Sequence, residues 1–151
     1  MKTQRRKRKM GQSKNTFESE LTYGVDCPYI DILWENGRIY ISRAVFRLIG
    51  KPVSIRFLWN AAKLSLIIEP AEIENPDSFP VIGRNYAKRG SLFIGSVTLI
   101  DEIWVATKWD KALRYRMVAK YNEPSNVAIF DLKKAIASEI PKISGGKDLR
   151  I

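Results

Sequence analysis

The sequence predicts an α+β fold that is mostly β, built from two successive units with the order strand, helix, strand, strand. In the first unit, apolar and polar residues alternate over 38–41 and again over 53–59, which is typical of half-buried strands. Between them, apolar residues at helical spacing over 44–49 predict a helix of about two turns. The same order of patterns recurs over 90–132, and this recurrence predicts the second unit.

Residues that favour turns and helix ends mark the boundaries of the first unit. Asn36 and Gly37 tolerate positive φ, so they favour a tight turn between a first strand over 29–34 and the strand that begins at Arg38. Ser42 is placed to cap the helix with its hydroxyl group. Further residues of this kind separate the helix and the last two strands: Gly50, Pro52, Asn60 and Pro70.

The second unit contains a longer helix, predicted to begin at Ser96 or Thr98 and to continue to Trp109. Its buried stripe is expected to hold Val97, Ile100 and Trp104, with Lys108 on the same side of the helix. One strand is predicted before this helix, over 90–95, and two strands are predicted after it, over 114–121 and 127–132. A final short helix is predicted over 133–140. Residue identity between the two units is low, so a true duplication and a coincidence of pattern both stay open.

The predicted organisation has five segments. A disordered basic tail over 1–15 is followed by the first unit over 16–70 and by a linker rich in turn formers over 71–89. The second unit with its final helix covers 90–140, and a flexible tail covers 141–151.

Composition narrows the possible classes of protein. A hydrophobic share of 45% in 151 residues suffices for one compact domain or two small intertwined ones. No apolar run reaches the roughly 20 residues of a membrane-spanning helix, so we expect no membrane partner and a cytoplasmic location. Cys27 is the single cysteine and histidine is absent, which excludes a disulfide framework, the usual Cys/His zinc site and histidine acid–base chemistry.

The sequence also lacks the patterns that accompany catalysis. Asp101 and Glu102 are adjacent, so on a helix they point to different sides and form a poor acid–base pair. No glycine-rich loop of the phosphate-binding type is present. Cys27 precedes a proline without an activating histidine and is expected to be a structural thiol. We therefore expect a protein that is not an enzyme and that uses no cofactor or metal.

The net charge of +10 is concentrated at the start of the chain. The first 14 residues hold seven lysines and arginines and no acidic residue, whereas the remainder holds 19 basic and 16 acidic residues. Such a segment can bind phosphates and release counterions, although a solubilising tail or a terminus that adheres to ribosomes has the same composition. The candidate nucleic-acid contacts in this arm are Lys2, Arg5, Arg6, Lys7, Arg8 and Lys9.

The first unit carries a series of short motifs in a fixed order. A Gly-Arg turn at Gly37 and Arg38 leads into the alternating strand, a short helix ends in Arg47-Leu48-Ile49-Gly50, and a hairpin closes near Pro70. This stretch of 35 residues resembles the swapped-hairpin repeat of AbrB/SpoVT-type transition-state regulators. Ser42 departs from the family pattern, which usually has proline there, and 34–36 resembles the family's lead-in only loosely.

The resemblance implies a small swapped-hairpin-like β-barrel in which two such units interleave and bind DNA through arginines on one face. It implies DNA-binding roles for Arg38 and Arg47, and Arg43 is a further candidate because it lies between them. One unit has too few strands to bury its apolar faces, so it needs a second copy. That copy is either 90–132, as in MraZ-like tandem proteins, or a second chain in a homodimer.

The predicted function is a small duplex DNA-binding protein, a transcriptional regulator of AbrB-like type associated with the nucleoid, with the basic arm adding phosphate contacts. One alternative is an RNA- or ribonucleoprotein-associated module that stacks bases on Tyr40, Phe57 and Tyr115. Another is a nucleic-acid-associated structural or assembly protein of a virus or mobile element. Two sets of residues fit either nucleic-acid contact or an ordinary structural role: Trp34, Trp59, Trp104 and Trp109, and Arg114, Arg116 and Lys120.

Overall fold

The structure, a computed structural model, describes residues 27–81 and 91–140. The strands are β1 Tyr29–Leu33, β2 Arg38–Ser42, β3 Ser54–Asn60, β4 Ser65–Pro70, β5 Phe79–Pro80, β6 Ser91–Gly95, β7 Leu113–Val118, β8 Lys120–Asn122, β9 Val127–Asp131 and β10 Ile136–Glu139. The helices are α1 Arg43–Leu48 and α2 Val97–Thr107. Short 3-10 turns lie at Glu35–Gly37 and Leu132–Lys134. The predicted α+β class with mostly β structure is confirmed.

The strands form two five-stranded sheets in which every pairing is antiparallel. Sheet I has the order β5-β3-β4-β9-β8, and sheet II has the order β10-β7-β1-β2-β6. Each sheet combines strands from both predicted units, since β9 pairs with β4 in sheet I and the β1–β2 hairpin lies between β7 and β6 in sheet II. Within the described ranges each sheet ends in two edge strands, so these ladders do not close the predicted barrel.

Side chains on the inner faces of the two sheets form one continuous core. On β1 and β2 the alternate residues Ile30, Ile32, Ile39 and Ile41 are buried, as the period-two pattern predicts. The inner residues of sheet I pack against the same core, together with one side of α1: Ile55, Leu66, Ile68, Phe130, Val45 and Phe46. Burial of these apolar surfaces is the main stabilising term for such a fold.

The turn between β1 and β2 confirms the predicted role of Asn36 and Gly37. Both residues have positive φ, 61° and 56°. The Gly37 carbonyl accepts a hydrogen bond from the backbone N–H of Ser96 at 2.8 Å. A Cβ atom on Gly37 would lie 2.8 Å from the Cα of Val97, so the start of α2 packs directly on this glycine. Only glycine combines this backbone conformation with so close an approach.

The predicted capping role of Ser42 is wrong. Ser42 occupies the N-cap position of α1 but makes no side-chain cap hydrogen bond. Its hydroxyl group instead donates to the carbonyl of Cys27 at 3.0 Å and accepts from the N–H of Tyr29 at 2.9 Å. The pairing of β1 with β2, in which Ile30 lies opposite Ile41, places the start of β1 beside Ser42. The Ser42 hydroxyl group therefore bonds to β1 and not to the N–H groups of the helix. The helix then ends as predicted, with Gly50 in the left-handed region at φ 92°.

The longer helix α2 has the predicted start and an altered buried face. The Ser96 hydroxyl accepts from the N–H of Leu99 at 3.3 Å, which confirms the cap. The buried face consists of Ile100, Ile103 and Trp104, whereas Val97, predicted to be buried, is 61% exposed. The helix also stops at Thr107, two residues before the predicted end.

The segment 133–140 is a 3-10 turn followed by a strand, so the predicted final helix is wrong. β10 pairs with β7, with Ile136 opposite Arg116 and Ser138 opposite Arg114. The Asp131 carboxylate accepts from the N–H of Lys133 at 3.0 Å and fixes the preceding turn. The hydrogen-bonding edge of β7 therefore outweighs a helical pattern of only two turns, which is marginal by itself.

Two other predicted segments differ in detail from the structure. The strand over 114–121 is interrupted at Ala119, whose N–H donates to the carbonyl of Pro28 at 2.8 Å. In the predicted linker, Phe79 pairs with Ile55 and Val81 is buried in the core. Within the described ranges, neither helix combines the length and apolar character needed to cross a membrane.

Candidate nucleic-acid interface

The three predicted DNA-binding arginines do not form one exposed set. Arg38 is half-buried at the start of β2 and its Nη1 donates to the Tyr40 hydroxyl at 3.4 Å. Arg43 is only 6% exposed, so its prediction as a surface contact is not supported, whereas Arg47 is exposed in the last turn of α1. Arg38 and Arg43 are separated by the length of β2, about 17 Å at the rise of an antiparallel strand.

The basic arm lies outside the described residues. Its six predicted contacts therefore stay predictions: Lys2, Arg5, Arg6, Lys7, Arg8 and Lys9.

The alternating basic residues of β7 and β8 have different roles. Arg116 is buried and binds Asp31 through two hydrogen bonds, Nε to Oδ1 and Nη2 to Oδ2, both 2.6 Å. Its guanidinium carbon also lies 4.0 Å from the centre of the Tyr29 ring. Arg114 is half-buried and donates from Nε to the Ser138 hydroxyl at 3.0 Å. Lys120 is exposed, and it alone of the three has the access that a phosphate contact requires.

A groove of about 550 Å³ lies where the chain passes twice between the two sheets. The first passage is from β7 to β8, and the second is from β9 through the 3-10 turn to β10. We call this surface the cationic groove. It is lined by Lys63, Ser65, Arg116, Met117, Val118, Lys120, Tyr121, Asn122, Ile129, Asp131, Lys133, Lys134 and Ile136.

Positive charge is concentrated in the cationic groove. Of the thirteen lysines and arginines in the described ranges, five line it, against one of the twelve acidic residues. Since Asp31 matches the charge of Arg116, four exposed lysines supply the local excess: Lys63, Lys120, Lys133 and Lys134.

Two contacts position the lysines at one side of the groove. The Nζ of Lys133 donates to the carbonyl of Lys63 at 3.1 Å, which joins the β3–β4 turn to the 3-10 turn. The same Nζ lies 3.7 Å from an Asp131 carboxylate oxygen. An exposed pair of this kind contributes about 0–1 kcal/mol, so a phosphate can compete for Lys133.

Acidic residues cluster at the opposite end of β4. Lys63 and Ser65 lie at the start of this strand, in the cationic groove. Glu72, Glu74 and Asp77 are exposed and follow its end at Pro70.

The predicted stacking platforms are mostly inner-face residues. Tyr115 is buried, and Phe57 is half-buried with its ring centre 5.4 Å from that of Phe79. Tyr40 points to the outer face of sheet II, where its ring centre lies 5.3 Å from that of Phe93, which is 45% exposed. Tyr40 thus retains an accessible aromatic surface.

The thiol of Cys27 is not activated. Burial raises its pKa, and the nearby positive charge of Arg116 lowers it to a smaller extent. The thiol is therefore protonated at neutral pH and is a weak nucleophile. In the part of the chain that the structure describes, no group of three His, Cys, Asp or Glu residues could hold a metal ion.

Sequence reasoning missed the cationic groove because its lysines come from separate elements. Two local signals existed: the set Arg114, Arg116 and Lys120, and the adjacent basic pair Lys133 and Lys134 directly after a predicted strand. Pairing of β9 with both β4 and β8 brings them near Lys63 and Lys120.

Comparison with protein-family models, curated proteins and solved structures gives no significant match. Function is therefore inferred from the residues themselves.

Proposed function

We propose that this protein binds nucleic acid through the cationic groove, with duplex DNA as its ligand, and acts as a regulator of AbrB-like type. The observation that carries the proposal is the set of four exposed lysines from three separate elements around one groove. Lysine ammonium groups bind phosphates as point charges, and such contacts position a protein on a duplex without reading sequence.

The rest of the groove suits a sugar–phosphate backbone. Ile129, Ile136 and Val118 contribute apolar surface to its lining, and Tyr121 and Asn122 contribute polar groups. The basic arm adds non-specific attraction to the same ligand. The folded body is thus nearly neutral overall, and its positive charge is concentrated on the one surface that would bind a polyanion.

The AbrB-like part of the proposal rests on the resemblance of 36–70 and on the mixing of the two halves. Each sheet contains strands from both units, which suits an intramolecular pseudo-dimer of interleaved hairpins. A homodimer in which chains exchange these hairpins is the alternative. The proposal assigns the phosphate contacts of the folded body to the cationic groove, and it requires none from Arg38 or Arg47.

The salt dependence of DNA binding tests the groove directly. We expect Lys120→Gln combined with Lys134→Gln to reduce the slope of log K against log salt by about 1.8, since each lost phosphate contact on B-DNA contributes about 0.9. The matched control combines Arg47→Gln with Lys51→Gln, two exposed cations at the far end of α1. It removes the same charge and should leave the slope nearly unchanged.

Two outcomes would contradict this proposal at different levels. An equal loss of slope in the control variant would place the interface elsewhere on the body. A protein without residues 1–14 that binds no duplex DNA, even at low salt, would overturn DNA binding by the folded body itself.

A second candidate function, binding of single-stranded RNA, is favoured by one observation. Tyr40 and Phe93 form an adjacent aromatic pair on the outer face of sheet II, and Arg38 contacts Tyr40. Bases can stack on such a pair while the arginine contacts the backbone. Competition between single-stranded RNA and duplex DNA separates the two functions: stronger competition by the RNA, lost in Tyr40→Ala, would favour this candidate.

A further inference from the structure

Three tryptophans surround a pocket of about 430 Å³ at the end of α2. We call it the tryptophan pocket; it is lined by Trp34, Asp101, Trp104, Val105, Lys108, Trp109 and Lys111. The ring centre of Trp104 lies 5.7 Å from that of Trp34 and 5.3 Å from that of Trp109. Tyr115 stacks on Trp109 at 3.9 Å and 7°, which fixes the orientation of that ring.

Charged groups line the pocket beside its aromatic rings. Trp104 lines the pocket with its ring and is itself only 5% exposed, and its indole Nε1 is fully buried without a hydrogen-bond partner among the described residues. Lys108 and Lys111 supply positive charge, and Asp101 supplies a carboxylate acceptor. The ammonium group of Lys111 lies 4.3 Å from the centre of the Trp34 ring.

These groups distinguish between two kinds of ligand for an aromatic pocket. A methylated ammonium or another cation suits aromatic faces, but Lys108 and Lys111 repel it. A nucleobase brings a π-face, ring or carbonyl acceptors and an amino donor for Asp101. Its attached phosphate suits the two lysines.

We propose that the tryptophan pocket takes one unpaired nucleobase from the nucleic acid whose phosphates lie in the cationic groove. This inference rests on the proposed function and specifies its ligand: nucleic acid with a base outside the stack. Removing a base from a duplex is costly, and the cost is least where the base is already unpaired. The protein should therefore prefer DNA that carries an unpaired nucleotide.

One strand joins the tryptophan pocket to the cationic groove. Lys111 precedes β7 at the pocket, and Lys120 lies beyond β7 in the groove. Arg114 lies between them on the outer face of sheet II, opposite Leu33 and Ser138. The two sites are thus the two ends of one surface path along β7, which a single strand of nucleic acid can follow.

Binding to two DNA ligands tests the inference. The probes are a fully paired duplex and the same duplex with one bulged nucleotide. We expect the bulged duplex to bind roughly 5- to 100-fold more tightly, the effect of stacking one base on aromatic side chains. Trp34→Leu should abolish this preference, Trp34→Phe should retain part of it, and both should bind the paired duplex as the native protein does.

The indole N–H resonance of Trp104 gives an independent readout that does not depend on affinity. Addition of the bulged duplex should shift this resonance, because a base stacked against the tryptophan rings changes the ring-current field at the indole, whereas the paired duplex should leave it in place. The groove variant with Lys120→Gln and Lys134→Gln should weaken binding of both duplexes equally and preserve their ratio.

Failure of the pocket and failure of the proposed function give different results. Equal, tight binding of both duplexes with an unshifted Trp104 resonance would overturn the pocket inference and leave DNA binding intact. A preference that persists in folded Trp34→Leu protein would also overturn it. Absence of binding to either duplex at low salt would overturn the proposed function and, with it, the role of the pocket.

Discussion

Gly37 shows how one residue fixes both a turn and the position of a helix. Its positive φ continues the turn that Asn36 begins, and its carbonyl accepts from Ser96, the cap of α2. The missing side chain leaves room for the backbone of Val97. The Gly-Arg motif of the sequence thus has a structural basis in this protein, independent of any contact that Arg38 makes.

Replacing Gly37 by alanine should destabilise the protein by about 2 kcal/mol or more. Alanine at positive φ costs about 1–2 kcal/mol, and its Cβ would displace the start of α2. Gly50→Ala is the matched control, because Gly50 also has positive φ but has no atom within 4 Å of an added Cβ. Chemical denaturation should show the larger loss for Gly37→Ala; equal losses would mean that the contact with Val97 contributes nothing.

The ion pair between Asp31 and Arg116 joins two neighbouring strands from different halves of the chain. Asp31 lies on β1 and Arg116 lies directly opposite on β7. Both side chains are less than 10% exposed, so each charge depends on its partner for the interactions that water would otherwise supply. The pair therefore specifies the register of β1 against β7.

Loss of this carboxylate should be strongly destabilising. We expect Asp31→Asn to lower the free energy of unfolding by about 3–5 kcal/mol, the usual cost of breaking a buried pair. Glu69→Gln is the control, because Glu69 pairs with Arg56 across β4 and β3 at a more exposed site and should cost about 1 kcal/mol or less. Thermal or urea unfolding would measure both; similar losses would contradict a special role for the buried pair.

At the scale of the whole molecule, the two halves share both sheets and one core. The β1–β2 hairpin is paired on both sides by strands of the second half, and β4 is paired by β9. Neither half retains a complete sheet without the other. Cooperative folding of the whole chain follows from this arrangement.

Fragments 1–85 and 86–151 should therefore be unfolded when separate and fold when mixed. Each fragment alone would expose the inner face of its strands to water. Circular dichroism and size-exclusion chromatography should show a structured one-to-one complex only in the mixture. A folded homodimer of fragment 1–85 would instead indicate that two chains can exchange hairpins.

The elements that depend on local sequence were predicted well. Period-two alternation located the strands of the first half, and Gly37, Gly50 and Ser96 marked turns and helix ends, because these preferences act within a few residues. The errors concern long-range partners. β10 is a strand because it pairs with the edge of β7. The Ser42 hydroxyl group does not cap the helix because it bonds to the backbone of Tyr29 and Cys27.

The candidate sites follow the same division. Trp34 and Trp109 are far apart in the sequence, and only the packing of α2 against the β1–β2 turn brings them to one pocket. Arg43 illustrates the converse, since its position in the sequence suggested a surface contact and the fold buries it. The tryptophan pocket and the cationic groove both form through strand pairing and packing between residues that are far apart in the sequence. Local sequence patterns therefore do not predict them.

The opposite ends of β4 give the molecule an electrical polarity. Lys63 precedes the strand and Glu72 follows it, and the strand between them spans about 17 Å at the rise of an antiparallel strand. A polyanion approaching from solution is attracted to one pole and repelled by the other, so the molecule turns before contact. Encounter would then be fast at low ionic strength and productive from one side only.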